Sequence, residues 1–228
     1  MAVVVGDVIL GGKKIQVGAP VVTWEQHGMT WSKAPNVTPR QLDPDLIIWH
    51  WTGGENSPEG FFGNLNNRGL GITFYVTREI VDGYAVIYQY VDPCVWDPKD
   101  TGGGMGKRSI SLEIASYGFL WPRGKTKTGR GSDREVVKGL RVHGVKYDVA
   151  RFYPAQVRSV AALTKALCVE LNIPMRFPRE ADGSLMRRVM ENPEQRSFKG
   201  IIEHAHKTDK KVDCGYLLVE ELEYLEVA

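Results

Sequence analysis

With 228 residues, 43% hydrophobic and 25% charged, the chain has the make-up of a soluble globular protein large enough for one sizeable core. A formal net charge of +2 is too mild to call for nucleic acid as a partner, although it is compatible with docking on an anionic polymer. Cys94, Cys168 and Cys214 are too few and too scattered for a disulfide framework, which points to folding in a reducing compartment.

The amino-terminal run MAVVVGDVIL lacks a basic lead and carries Asp7, so it reads as a strand rather than a signal peptide, and no run is long enough for a membrane span. Two short β-like runs around Gly11-Gly12 predict a hairpin. We expect residues 1–44 to form a hairpin extension packed on a main domain spanning 45–228.

Leu46-Ile47-Ile48-Trp49 lies between Pro44-Asp45 and Gly53-Gly54, which predicts a buried strand ending in His50. Taken alone, a histidine at a strand end is more often a hydrogen-bonded structural residue than a ligand. Ser57-Pro58-Glu59 predicts a helix start with Ser57 as N-cap and Phe61, Phe62 and Leu65 facing inward. Ile72–Val76 and Ala85–Val91, joined by Asp82-Gly83, predict a second hairpin. Ser109–Ile114 alternates, placing Ile110, Leu112 and Ile114 on one face and Glu113 with Ser109 and Ser111 on the other, where a carboxylate is ordinarily solvated.

Trp121–Tyr153 is rich in arginine, lysine and glycine and reads as a long exposed loop. Pro154–Asn172 predicts a helix packed on the sheet through Val157, Val160, Ala161, Leu167 and Leu171. Arg176–Ser197 is irregular and charged, and Gly200–His204 repeats the pattern of a short apolar strand ending in histidine.

Chemistry-bearing residues are densest at that end. His204, His206, Asp213 and Cys214 fall within a dozen positions, and all are types that bind zinc. A structural site would use four protein ligands, usually several of them cysteines. His50 with one histidine and one Asp or Cys from this loop would instead leave a fourth position for water, the catalytic arrangement.

In the same order along the chain, LIIWHWTGG, GITFYV, VIYQYVDP, RSISLEIAS, YPAQV and GIIEHAHKTDKKVDCG resemble the zinc-dependent N-acetylmuramoyl-L-alanine amidases of bacteriophage endolysins, relatives of the peptidoglycan recognition proteins. The resemblance covers about Leu46 to Leu218. It implies an α/β fold with a central mixed β-sheet flanked by helices, one Zn2+ ion, and cleavage of the amide between N-acetylmuramic acid and L-alanine of the stem peptide. Peptidoglycan is then the partner, and a monomer without nucleic acid is expected. The enzyme would be made in the host cytoplasm without a signal peptide and reach the wall after holin-dependent release. The alternative is a peptidoglycan-binding module of the same fold that has lost its chemistry.

By the same resemblance, His50 and His204 match the zinc histidines, Glu113 the general base, and Lys211 the lysine of a Lys-x-Asp-Pro-Gly loop that stabilises an oxyanion. Asp213 is then the third ligand. Cys214, standing where the family has proline, is the alternative third ligand, and His206 the alternative second histidine. Trp51, Thr73 and Trp96 are the expected substrate contacts, with Thr73 standing where many relatives carry histidine.

Overall fold

A computed structural model describes residues 5–100, 103–120 and 134–227. In chain order its elements are β1 (Val5–Leu10), β2 (Lys13–Thr23), α1 (Trp24–His27), β3 (Val37–Pro39), β4 (Leu46–Trp51), α2 (Pro58–Asn67), β5 (Phe74–Val81), β6 (Tyr84–Gln89), β7 (Trp96–Pro98), α3 (Gly103–Gly106), β8 (Ser109–Ile114), β9 (Phe119–Leu120), β10 (Val136–Val142), β11 (Val145–Ala150), α4 (Pro154–Glu170), α5 (Asn192–Ser197), β12 (Gly200–Glu203), a 3-10 turn (His204–His206) and α6 (Leu217–Val227).

Seven strands form one sheet in the order β1-β2-β6-β5-β8-β4-β12. It is mixed: β4 runs parallel to both β8 and β12, whereas the β1–β2 and β5–β6 hairpins are antiparallel. The β1–β2 hairpin turns at Gly11-Gly12 and joins this same sheet, because β2 pairs in parallel with β6. Small sheets β9–β11 and β3–β7 lie outside it.

β4 is buried along its whole length. A parallel strand with neighbours on both sides and cover on both faces needs a continuous apolar run, and Leu46–Trp49 supplies one. Its alternate residues divide between two faces. Ile47, Trp49 and Trp51 join Ile110, Leu112 and Ile114 of β8 in the larger core, covered by α4 through Val157, Val160, Leu163 and Leu167. Leu46 and Ile48 face the other way, toward Met105, Met186, Met190 and Ile202. That second face also carries Tyr75 of β5, stacked on Phe61 of α2 at a centroid distance of 4.3 Å. Ser57 caps α2 as expected, its Oγ accepting from the Gly60 backbone N–H at 3.2 Å.

The structure corrects two expectations. Ser109 and Ser111 do not lie on a solvated face; both are buried, since β8 is an interior strand with both faces covered. The exposed loop expected over Trp121–Tyr153 is, from Val136 onward, the β10–β11 hairpin; residues 121–133 lie outside the described residues. Arg134 is buried rather than solvated. Its guanidinium pairs with the equally buried Glu55 at 2.5 Å and lies 3.9 Å from the centre of the Tyr153 ring. The sequence also gave no sign of α6 or of the short α5 within the stretch expected to be irregular.

Candidate metal centre and catalytic site

The strand register assembles the site. His50 follows Leu46 and Ile48 onto the second face of the sheet, and on the neighbouring strand Glu113 is its register partner, with Tyr75 next across β5. On the other side of β4, Glu203 pairs with Trp49, and His204 follows one residue later as β12 gives way to the 3-10 turn. Three consecutive strands thus present His50, Glu113 and Tyr75 as a row, each strand set about 4.8 Å from the next, and His204 follows the end of the fourth.

Asp213 arrives from the loop after the 3-10 turn, its backbone carbonyl accepting from Ala205 N–H at 2.7 Å. The Asp213 Oδ2 lies 3.1 Å from His50 Nδ1 and 3.0 Å from His204 Nδ1. The two imidazoles meet edge to face at 4.5 Å. All three residues are buried, and one ligand atom from each lies within 4.8 Å of the others, so the group could hold a metal ion. Two neutral nitrogens and one carboxylate oxygen suit a borderline divalent cation such as zinc.

Burial pushes the Asp213 carboxyl up, but the hydrogen bonds from His204 and His50 outweigh it and hold the group well below the ordinary carboxylate range. Burial lowers His50 too, yet the Asp213 hydrogen bond and the Glu113 charge win and raise it. For His204, burial and the neighbouring His50 charge prevail and lower it. A carboxylate kept ionised between two imidazoles is ready to bind a cation.

Glu113 is pushed up to about 7, first by burial and then by Asp213 and Asp100, against the opposing charges of His50 and Lys211. Its Oε2 is sealed from solvent and has no hydrogen-bond partner among the described residues. Lys211 is exposed on the loop, within electrostatic reach of both Glu113 and His204.

The alternative ligands lie elsewhere. His206 is turned away from the cluster: its Nδ1 accepts from the Glu203 backbone N–H at 3.0 Å and its Nε2 donates to the Met186 carbonyl at 2.9 Å. With both nitrogens bound and burial lowering it to about 4, it is a neutral structural histidine. Cys214 points into the large apolar core, and burial first, then the Glu203 and Asp213 charges, raise its thiol far above the ordinary value.

Two expected substrate contacts have little surface to offer. Trp51 is 8% exposed and packs near Phe119 and Phe152, and Thr73 is fully buried. The strand alternation that sends His50 to one face sends Trp51 to the other. Trp96 is half-buried on β7 beside the Trp31–Tyr90 cluster.

Three residues of this neighbourhood were missed. Asp100 acts electrostatically on His50, Glu113 and Lys207, and no local pattern singles it out. Glu203 is fully buried behind His204, its carboxylate accepting from the backbone N–H groups of Tyr216 and Val219 at the start of α6; burial pushes it up to about 8. An acid inside an apolar strand was the available signal. His143, in the β10–β11 turn, donates through Nε2 to the Lys211 carbonyl at 2.9 Å.

The profile of a protein family described as N-acetylmuramoyl-L-alanine amidase matches residues 40–215. The chain belongs to this family. No curated protein sequence matches it. Among solved structures, the amidase family fold recurs in the N-acetylmuramyl-L-alanine amidase AmiD from E. coli, solved with the substrate anhydro-N-acetylmuramic acid-L-Ala-D-gamma-Glu-L-Lys. That comparison has a TM-score of 0.50 at 16% identity and covers 97% of this chain and 66% of AmiD. The endolysin amidase LysCS from Clostridium intestinale URNW aligns with a TM-score of 0.51 at 15% identity, over 91% of this chain and 95% of LysCS. At these identities the likeness speaks for the fold, a mixed sheet flanked by helices, as the amidase family resemblance implied.

Proposed function

We propose that this family member hydrolyses peptidoglycan at the amide joining the lactyl group of N-acetylmuramic acid to L-alanine of the stem peptide, with zinc held by His50, His204 and Asp213. The observation that carries the proposal is the convergence of these three side chains one strand away from an unpartnered carboxylate, Glu113. Zinc, when bound, would supply a Lewis acid for the scissile carbonyl and acidify a water molecule.

The chain's own groups do the rest. As a carboxylate, Glu113 accepts a proton from the attacking water and returns it to the departing amine of L-alanine, a two-way transfer suited to a group titrating near neutrality. Lys211 offers a positive charge to the oxyanion that develops on the carbonyl. The proposed chemistry needs no side-chain nucleophile, and the Cys214 thiol is turned into the core. A phage endolysin is the setting we favour, in keeping with the ordered motifs of the resemblance and with LysCS among the related folds.

Metal analysis of the purified protein should give about one zinc per chain. Cell walls treated with the protein should release free L-alanine amino termini, and chelation should stop that release until zinc is restored. Release that survives full chelation would reject the metal-dependent reading.

A further inference from the structure

The β10–β11 hairpin belongs to no part of the chemistry above, yet its turn touches the catalytic loop. His143 and Gly144 form the two-residue turn with φ of 50° and 80°. Both lie in the left-handed region, as a type I′ hairpin turn requires, and asparagine is the residue that suits its first position best. Histidine is a poorer choice for the turn, and its side chain does something asparagine could not. Its Nε2–H donates to the Lys211 carbonyl at 2.9 Å, 68 residues away. On the other side of the ring, Nδ1 faces the Tyr216 hydroxyl at 3.4 Å, and that hydroxyl also lies 3.3 Å from the Ala205 carbonyl. Leu140 of the same hairpin closes on Gly215, 3.4 Å from where a Cβ would stand.

We infer that His143 is a positioning residue for the metal-site loop, fixing the Lys211 backbone and so the ammonium that the proposed reaction uses. The inference rests on the role proposed for Lys211. It gives the basic hairpin a mechanical task, that of a clasp across Lys211–Gly215. The contact requires a proton on Nε2, since the carbonyl can only accept.

Three substitutions separate the clasp from a merely structural turn. His143→Asn improves the turn but its shorter amide falls short of the carbonyl, whereas His143→Gln places a donor near the Nε2 position; Lys211→Met tests the underlying role. With a soluble muropeptide as substrate and zinc content checked, we expect His143→Asn to keep or raise the melting temperature while lowering kcat about tenfold, as misplacement of a catalytic group does. His143→Gln should recover most of that loss, and KM should change little in both. In the wild-type protein, 15N NMR should show a protonated Nε2 for His143. Full kcat in His143→Asn, alongside a Lys211→Met protein that is impaired, would overturn the inference. Full activity in Lys211→Met would instead overturn the reading on which it stands.

Discussion

Glu113 shows a conflict between stability and chemistry confined to one side chain. A carboxyl whose folded pKa is raised from 4.5 to about 7 binds more protons in the folded than in the unfolded chain between those values. Stability therefore falls as pH rises through that window and stays at its lowest above it. In its proposed role as base, however, Glu113 works only when ionised, so activity should climb as pH rises. For Glu113→Gln we expect a loss of at least about two orders of magnitude in kcat with zinc content unchanged. In the chelated protein at pH 8, denaturant titration should show the variant more stable than wild type by about 2–3 kcal/mol, and near-equal at pH 4.5. A variant that retains amidase activity with its zinc intact would remove Glu113 from the role of base.

At this scale the sequence brought candidate ligands forward in neighbouring pairs, and only the amidase resemblance ranked them. His204 and His206 both follow the same short strand, and nothing in HAH distinguishes them. The 3-10 turn sets them apart, directing His206 onto Glu203 N–H and the Met186 carbonyl. Likewise Asp213 and Cys214 are adjacent, and the core rather than local pattern takes the thiol. Trp51, an expected substrate contact, follows His50 directly in sequence, and strand alternation sends the two to opposite faces.

Among the elements, strands and the long helix were legible because their apolar periodicity is strong. Ser109–Ile114 was read to the residue, and the Pro154 helix start was correct. Periodicity distinguishes two faces of a strand but not whether both are covered, which is why Ser109 and Ser111 were placed toward solvent. The terminal helix α6 was hidden for another reason: part of its start is satisfied from a distance. Glu203, separated by thirteen residues from Tyr216 and sixteen from Val219, takes their backbone N–H groups. That carboxylate ties the end of the strand that leads into His204 to the segment that follows Asp213. Glu203→Ala would strand these buried donors, so it should destabilise the fold by about 2–4 kcal/mol in denaturant titration and weaken zinc retention. A neutral result would mean that water replaces the carboxylate there.

For the molecule as a whole, the mixed sheet was what the amidase resemblance implied, while the hydrophobic pattern predicted only a buried strand ending in His50. That pattern did not specify that the amino-terminal hairpin would extend the sheet through β2 and β6, because a parallel pairing over more than sixty residues leaves no local trace. Nor did composition reveal the buried Arg134–Glu55 pair within the basic stretch.

The strand order carries one more consequence. β12 is the last strand on its side of the sheet and is held to β4 by only four register pairs. Two of the three side chains proposed to hold the metal belong to the segment that begins there, while the third sits on the interior strand. A bound ion would therefore act as a staple across a vulnerable border, cross-linking residues 163 positions apart and favouring the closed edge by mass action. Hydrogen exchange should detect it. On chelation, amides of Gly200–Glu203 and α6 should lose protection well before those of β5 and β8, and zinc should restore it. Uniform loss across the sheet would show instead that the border and the core open as one unit.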